Sequence, residues 1–410
     1  MSASSDRSRV ARRARLVAAG ALALVAAILL VSSWAVERRR ARRARAASIE
    51  LRWVRAYPAE SWDQVRTGIA WSLSFLGAKL PTGSLDRVVR RHDESHFRLE
   101  LAPAAFTPRA LDELGTTIQR LKDTDEYRQQ GSLDLGRFLA LGVYGAWQYY
   151  RVTGAEPTYA ALADAYGISA FDTFPLVHSY VAKNERRLRV RPCAPGRPIV
   201  FVAEEGTGAT ARGDFHTETY ETLVVQPNGQ LRFAIYDRDG ALAAASPHHL
   251  GDAGKPAKCL WCHEINLLPL FVPSPPVPGF MSPDRFGALI EGCRRELGAR
   301  RKALSSDIDF GRTQDHAQSE LLYITFMEPS AMRVTNDWRQ EPGAVRRTLA
   351  DLPEHDYTEY PFLGRLYHRA DIDARAPYDS LAPADSLREP SAYEPDLARG
   401  AFRSTRSRPR

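Results

Sequence analysis

Cysteine and methionine are scarce in this sequence, four of each in 410 residues, and no internal repeat is present. Repeat architectures are thereby excluded. Gly206-Thr207-Gly208 lacks the Lys-Ser/Thr or further Gly of a phosphate loop, and no Ser-His-Asp nucleophile motif stands out. Excess positive charge is also missing where nucleic acid would need it. The net +7 contains a local +9 in residues 1–45, eleven Arg against Asp6 and Glu37, so the rest of the chain sums to −2. A nucleic-acid surface has no compositional support. With 44% hydrophobic and 10% aromatic residues, the chain is not disordered and can bury at least one sizeable core.

One long apolar run is present. Leu16 to Val36 carries no charge over 21 residues, and as a helix it would span about 31 Å, matching a hydrocarbon core of about 30 Å. A single-pass anchor in the lipid bilayer is the expectation. A cleaved signal peptide is the rival, since Ser33-Trp34-Ala35 is a tolerable cleavage site, but the run exceeds the usual apolar length of such signals. Arginines flank the run on both sides, so the positive-inside rule does not orient it.

The spacing of apolar residues predicts the rest. Trp62, Val65, Ile69, Leu73 and Leu76 recur at three and four between a Ser61 cap and Pro81, an amphipathic helix. Phe97, Leu99 and Leu101 alternate as a strand, and Thr107-Pro108 opens a second helix through Leu121. A third helix is expected from Ser132 to Gly154, and Pro157 begins a shorter one. After a Pro-rich joint at 191–198, Ile199 to Ala203 reads as a strand. Thr222–Val225 and Leu231–Tyr236 flank Asn228-Gly229 as a hairpin. Ser282-Pro283 caps a helix whose inner face is Phe286, Leu289, Ile290, Cys293 and Leu297, and a further helix covers 315–326.

The expected fold class is α+β: an N-terminal transmembrane helix, a mainly helical unit, then a β-hairpin-containing unit with an inserted metal-binding motif. The boundaries expected are a basic flank at 1–15, the anchor at 16–36, a basic juxtamembrane linker at 37–49, the helical unit at 50–190 and the α+β unit at 191–340. Residues 341–410 are expected to be an extended segment wrapping the fold, ending in a disordered basic tail from Arg403.

The chemistry is carried by Cys259-Leu260-Trp261-Cys262-His263. Two thiols three residues apart on a helical turn can reach two vinyl groups of one porphyrin face, and the adjacent imidazole can rise to its iron. These five residues resemble the haem-attachment motif of c-type cytochromes; no whole-chain family is suggested. The resemblance implies one covalent haem c, with thioethers at Cys259 and Cys262, His263 as proximal iron ligand, and Trp261 against or near the ring. It departs from small cytochromes c in lying 258 residues into the chain, after a lead-in (251–258) that contains Pro256 and reads as a loop. Met281, presented by Pro278-Gly279, is the candidate distal ligand; Met327 and Met332 are the other thioethers available, and His248 and His249 read as exposed loop residues.

Two other readings stay open at this stage. Cys259 and Cys262 have the spacing of half a structural zinc site that Cys193, Cys293 or a His might complete, though a second Cys-x-x-Cys is missing. Cys193 and Cys293 can instead pair with each other, or Cys293 can simply fill its helix face. Glu204-Glu205 reads as a solvated strand end, and His92 and His96 as a polar surface turn.

With haem, the resemblance places the soluble part in the bacterial periplasm, anchored in the inner membrane. One-electron transfer with a redox protein partner, or haem-based redox sensing, is the expected function; peroxidase-like activity requires an open sixth position, and catalysis is not otherwise expected. The alternative is a non-catalytic envelope binding or scaffolding protein whose Cys/His cluster is structural.

Overall fold

The computed structural model describes residues 47–405 except 252–253, 273–274, 388–392, 398 and 401–402. Among the described residues no helix is long and apolar enough to cross a membrane. The expected fold class is corrected accordingly, to a mixed α and β fold without a spanning helix in its described part; Leu16–Val36 lies outside the described residues.

Among the described residues nine strands make two sheets: β1 (Ser48–Arg52), β2 (Val89–Arg91), β3 (His96–Glu100) and β4 (Leu133–Asp134) in the order β2-β3-β1-β4, and β5 (Asp172–Leu176), β6 (Arg186–Val190), β7 (Val200–Thr207), β8 (His216–Val225) and β9 (Leu231–Asp237) as an antiparallel meander in chain order. The "mainly helical" expectation for 50–190 missed the first sheet because its strands are two to five residues long, too short for an alternating pattern to stand out. It also missed that β5 and β6 belong to the second sheet, so one apolar core runs continuously from Ala47 to Leu397.

Local signals explain most boundaries. Ser61 caps Trp62–Phe75 in a reciprocal box with Gln64, and Thr107 caps Pro108–Lys122. The single helix expected over 132–154 is two, Leu135–Gly142 and Ala146–Thr153. Asp134 rather than Ser132 caps the first, its carboxylate accepting from Gly136 N at 2.6 Å. The helix Ala317–Met327 crosses Trp62–Phe75 so closely that a Cβ on Gly68 would meet Leu322 Cδ1 at 2.6 Å and Gln318 O at 2.8 Å, which requires glycine there. Beyond 340 the chain is not simply extended: it forms Pro342–Leu349 and Arg369–Arg375. The disordered tail expected from Arg403 is corrected for Arg403–Thr405: Arg403 pairs with Asp385 at 2.6 Å and Thr405 Oγ1 donates to Asp379 at 2.8 Å; residues 406–410 lie outside the described part.

Cys193 and Cys293 are disulfide-bonded, closing a span of 100 residues between the Pro-rich joint and the helix Pro283–Lys302. Arg300 of that helix donates to Ala194 O at 3.1 Å and Arg197 O at 2.6 Å, fixing the same contact. A loop of this length constrains the unfolded chain strongly, so the C193S/C293S double variant should lose roughly 2–4 kcal/mol of stability. Denaturant titration without reductant checks it: the variant's midpoint should fall to that of the reduced wild type.

Candidate haem cleft

The five-residue motif lies on a short helix, Pro256–Cys262, with His263 as its C-terminal cap. The loop expected over 251–258 is thus corrected at its end, where residues 256–258 are helical. Pro256 is the first helical residue, where its fixed φ suits the helix and its missing N–H costs nothing. Cys259 faces inward, 7% exposed, while Cys262 is exposed, and both are free thiols. His263 N donates to Cys259 O at 3.0 Å, so the imidazole follows the thiols on the same turn.

The helix packs on β9, and the His263 ring lies 5.2 Å from that of Phe233. Strand register builds the cleft wall. Leu188, Ala203 and Glu221 are direct partners across β6-β7-β8, and Phe201, Leu223 and Phe233 are direct partners across β7-β8-β9. Opposite stand Leu267 to Phe271, with Phe286 and Ile290 of the disulfide-bonded helix. Cys259, Cys262 and His263 all line this cleft, whose cavity volume is about 130 Å³.

His263 Nδ1 is buried and has no hydrogen-bond partner. Burial pushes the imidazole's pKa down to about 4, against an opposing pull from Glu221. Without a bound group the folded chain therefore keeps His263 neutral where an unfolded chain would protonate it, and this contribution weakens folding as pH drops from about 6.5 towards about 4. A neutral imidazole is the metal-binding form. Burial also raises both thiols, Cys259 most strongly.

Arg186 and Glu221 are the charged residues of the cleft lining. Arg186 pairs with buried Glu205, and its Nη1 lies 3.6 Å from Glu221, whose carboxylate accepts from Ser246 Oγ at 2.7 Å. The solvated strand end expected at Glu204-Glu205 is wrong: they are 9% and 2% exposed, and Glu204 sits 3.8 Å from Arg189. His92 and His96 do lie on a polar turn, bonded to Glu50 and Asp93.

Two expected haem neighbours lie elsewhere. Trp261 is buried in the core, 5.6 Å from Tyr144 and 5.3 Å from Tyr323, and is not part of the cleft lining. Met281 is also in the core, its N–H donating to Thr173 O at 3.0 Å, and it too is outside the lining. Met327 is buried, and Met332 is 37% exposed.

The segment after the motif is strained. Glu264 and Ile265 both adopt left-handed backbone, at φ 44° and 60°, unusual for any side chain and most of all for a β-branched one. Arg301 holds this turn, donating to Ile265 O at 2.6 Å, Asn266 Oδ1 at 3.2 Å and Gly229 O at 2.9 Å. Burial lowers its pKa to about 10. No local sequence signal marks Arg301, because its partners are 35 and 72 residues away. Glu264 is exposed, so Glu264→Gly should relieve strain of roughly 1–2 kcal/mol less the added chain entropy of glycine, a net gain of about 0.5–1 kcal/mol. A higher thermal midpoint checks this.

The residues fit a covalently held haem. Two free thiols and an imidazole whose buried Nδ1 makes no hydrogen bond open on one apolar cleft. A tetrahedral zinc centre fits less well. Among the described residues, the His, Cys, Asp and Glu ligand atoms that converge in a group of three within 4.8 Å are those of Glu328, His355 and His368, not those of the motif. Cys193 and Cys293, the other candidate ligands, are bonded to each other. Comparison with family models, with curated proteins and with solved structures returned no match.

Proposed function

We propose that this chain is a c-type cytochrome-like protein carrying one covalent haem in the cleft between the five-stranded sheet and residues 267–271. The observation that carries the reading is the motif's position: Cys259, Cys262 and His263 open together on an apolar cleft, with the buried His263 Nδ1 unpartnered. Cys259 and Cys262 hold the group by thioether bonds, and His263 is its proximal ligand. Bound haem supplies reversible one-electron iron chemistry, tuned by its axial ligand and burial. The chain's own contribution is an apolar enclosure from Phe201, Leu223, Phe233 and Phe286 and one charged edge at Arg186 and Glu221. The disulfide agrees with an oxidising compartment such as the periplasm, where a redox protein would be the partner.

The test is a haem stain after denaturing electrophoresis of full-length protein expressed with a cytochrome maturation system. Colour should stay with the polypeptide; a colourless band after maturation overturns the reading. The non-catalytic envelope scaffold, with a structural metal or disulfide at the motif, predicts that colourless band.

A further inference from the structure

We propose a second metal site, separate from the motif, in which Glu328, His355 and His368 bind one divalent transition ion of the zinc class. Their ligand atoms all lie within 4.8 Å of one another, with Glu328 buried, His355 half-buried and His368 exposed. His355 Nε2 and Glu328 Oε2 are 3.0 Å apart. Two donors at that separation, each about 2.0–2.2 Å from a common ion, subtend roughly a right angle there, which a zinc or iron centre accepts.

The site is built by backbone as well as side chains. Glu328 ends the helix Ala317–Met327, its N–H donating to Ile324 O at 2.8 Å. Tyr367 N donates to Pro329 O at 3.0 Å, and His355 and Leu366 exchange both backbone bonds, at 3.1 and 2.9 Å. All three ligand-bearing segments are therefore tied to one another. Arg369 Nε donates to Phe326 O at 2.7 Å and fixes His368's neighbour to the same helix.

An ordinary ion pair would need one imidazole. Here a second is stacked on the first, with ring centroids 4.7 Å apart and planes at 22°. Two imidazoles and a buried carboxylate make a three-ligand set that leaves room for water or a small ligand.

The full-length protein, stripped with chelator, is titrated with Zn²⁺ by calorimetry, and bound zinc is counted after dialysis. One equivalent is expected in wild type and in C259S/C262S, which separates this site from the haem proposal. Loss of an outer-shell partner already weakens metal sites by ~10–100-fold, so H355A and H368A should each weaken binding by at least ~100-fold. His368 is exposed, so H368A keeps the fold; Zn²⁺ should raise the thermal midpoint of wild type and not of H368A. Unchanged zinc affinity in both His variants, or no saturable binding by wild type, overturns the proposal.

Discussion

Replacing Cys259 and Cys262 together by serine should abolish the haem that survives denaturation, leaving a colourless band where the matured wild type is stained. The effect is all-or-none because a thioether is covalent, whereas any haem held only by His263 and the cleft walls washes out in detergent. Serine is close to cysteine in size, and Cys262 is exposed, so the fold should persist. The single variants should each retain part of the stain, since one thioether remains. Cys259 is buried against the core, so C259S should lower the yield of matured protein more than C262S. H263A removes the proximal ligand; it should keep some covalent colour while shifting the visible spectrum of the native protein. Undiminished stain in C259S/C262S would remove the motif from the account altogether.

That motif was legible because its chemistry is local: five consecutive residues on one turn. The cleft around it was not, because its wall is assembled by register among four strands, and a sequence read one strand at a time does not say that Leu188, Ala203 and Glu221 stand in a row. The same limit explains Glu204-Glu205. Alternation on a strand correctly sends the two to opposite faces, but it cannot reveal the Arg186 and Arg189 that bury each one. Helices with clear caps were readable, at Ser61, Thr107 and Ser282. The loop misreading at 251–258 came from treating Pro256 as a breaker when it is a helix starter. Glu328, His355 and His368 were beyond reach, since 27 and 13 residues separate them without a motif, and the histidines meet through long-range contacts such as the Leu366–His355 bridge. Met281 looked promising through its Pro-Gly loop; its side chain was instead needed by the core.

The other large effect expected is on stability, at a buried charge network for which no sequence pattern prepared the reader. Arg137, 1% exposed, has its Nε 2.7 Å from Glu126 as an ion pair and donates from Nη2 to Asp373 at 2.8 Å. Arg52 reaches the same Glu126 at 2.6 Å and Asp337 at 3.0 Å, Arg333 reaches Asp134 at 3.0 Å, and Arg369 lies 3.6 Å from Asp337 and 3.4 Å from Asp373. Three of these guanidiniums, those of Arg137, Arg333 and Arg369, surround the Phe326 ring at 5.1, 5.4 and 4.1 Å. Phe326 stands on the helix that carries Tyr323 against Trp261 and ends at Glu328, so the network sets the position of both proposed sites. Arg137→Leu keeps the bulk but removes the cation that Glu126 and Asp373 share, leaving Glu126 to Arg52 and Asp373 to Arg369, and breaking a buried pair in this way costs up to about 3–5 kcal/mol. Arg98→Ala, at an exposed pair with Glu50, should change little. Burial alone would raise the Asp337 pKa, but Arg52, Arg369 and Arg333 overcome it and hold the group well below the usual carboxylate range. Its contribution is therefore complete above the unfolded carboxylate pKa and is lost as pH falls through the depressed folded value. Thermal melts at neutral pH should show R137L far below both R98A and wild type, with the gap narrowing in strong acid, where carboxylate charge is lost from both proteins. A gap that stays constant down to strong acid would mean that lost packing of the Arg137 side chain, and not its charge, is what the fold requires.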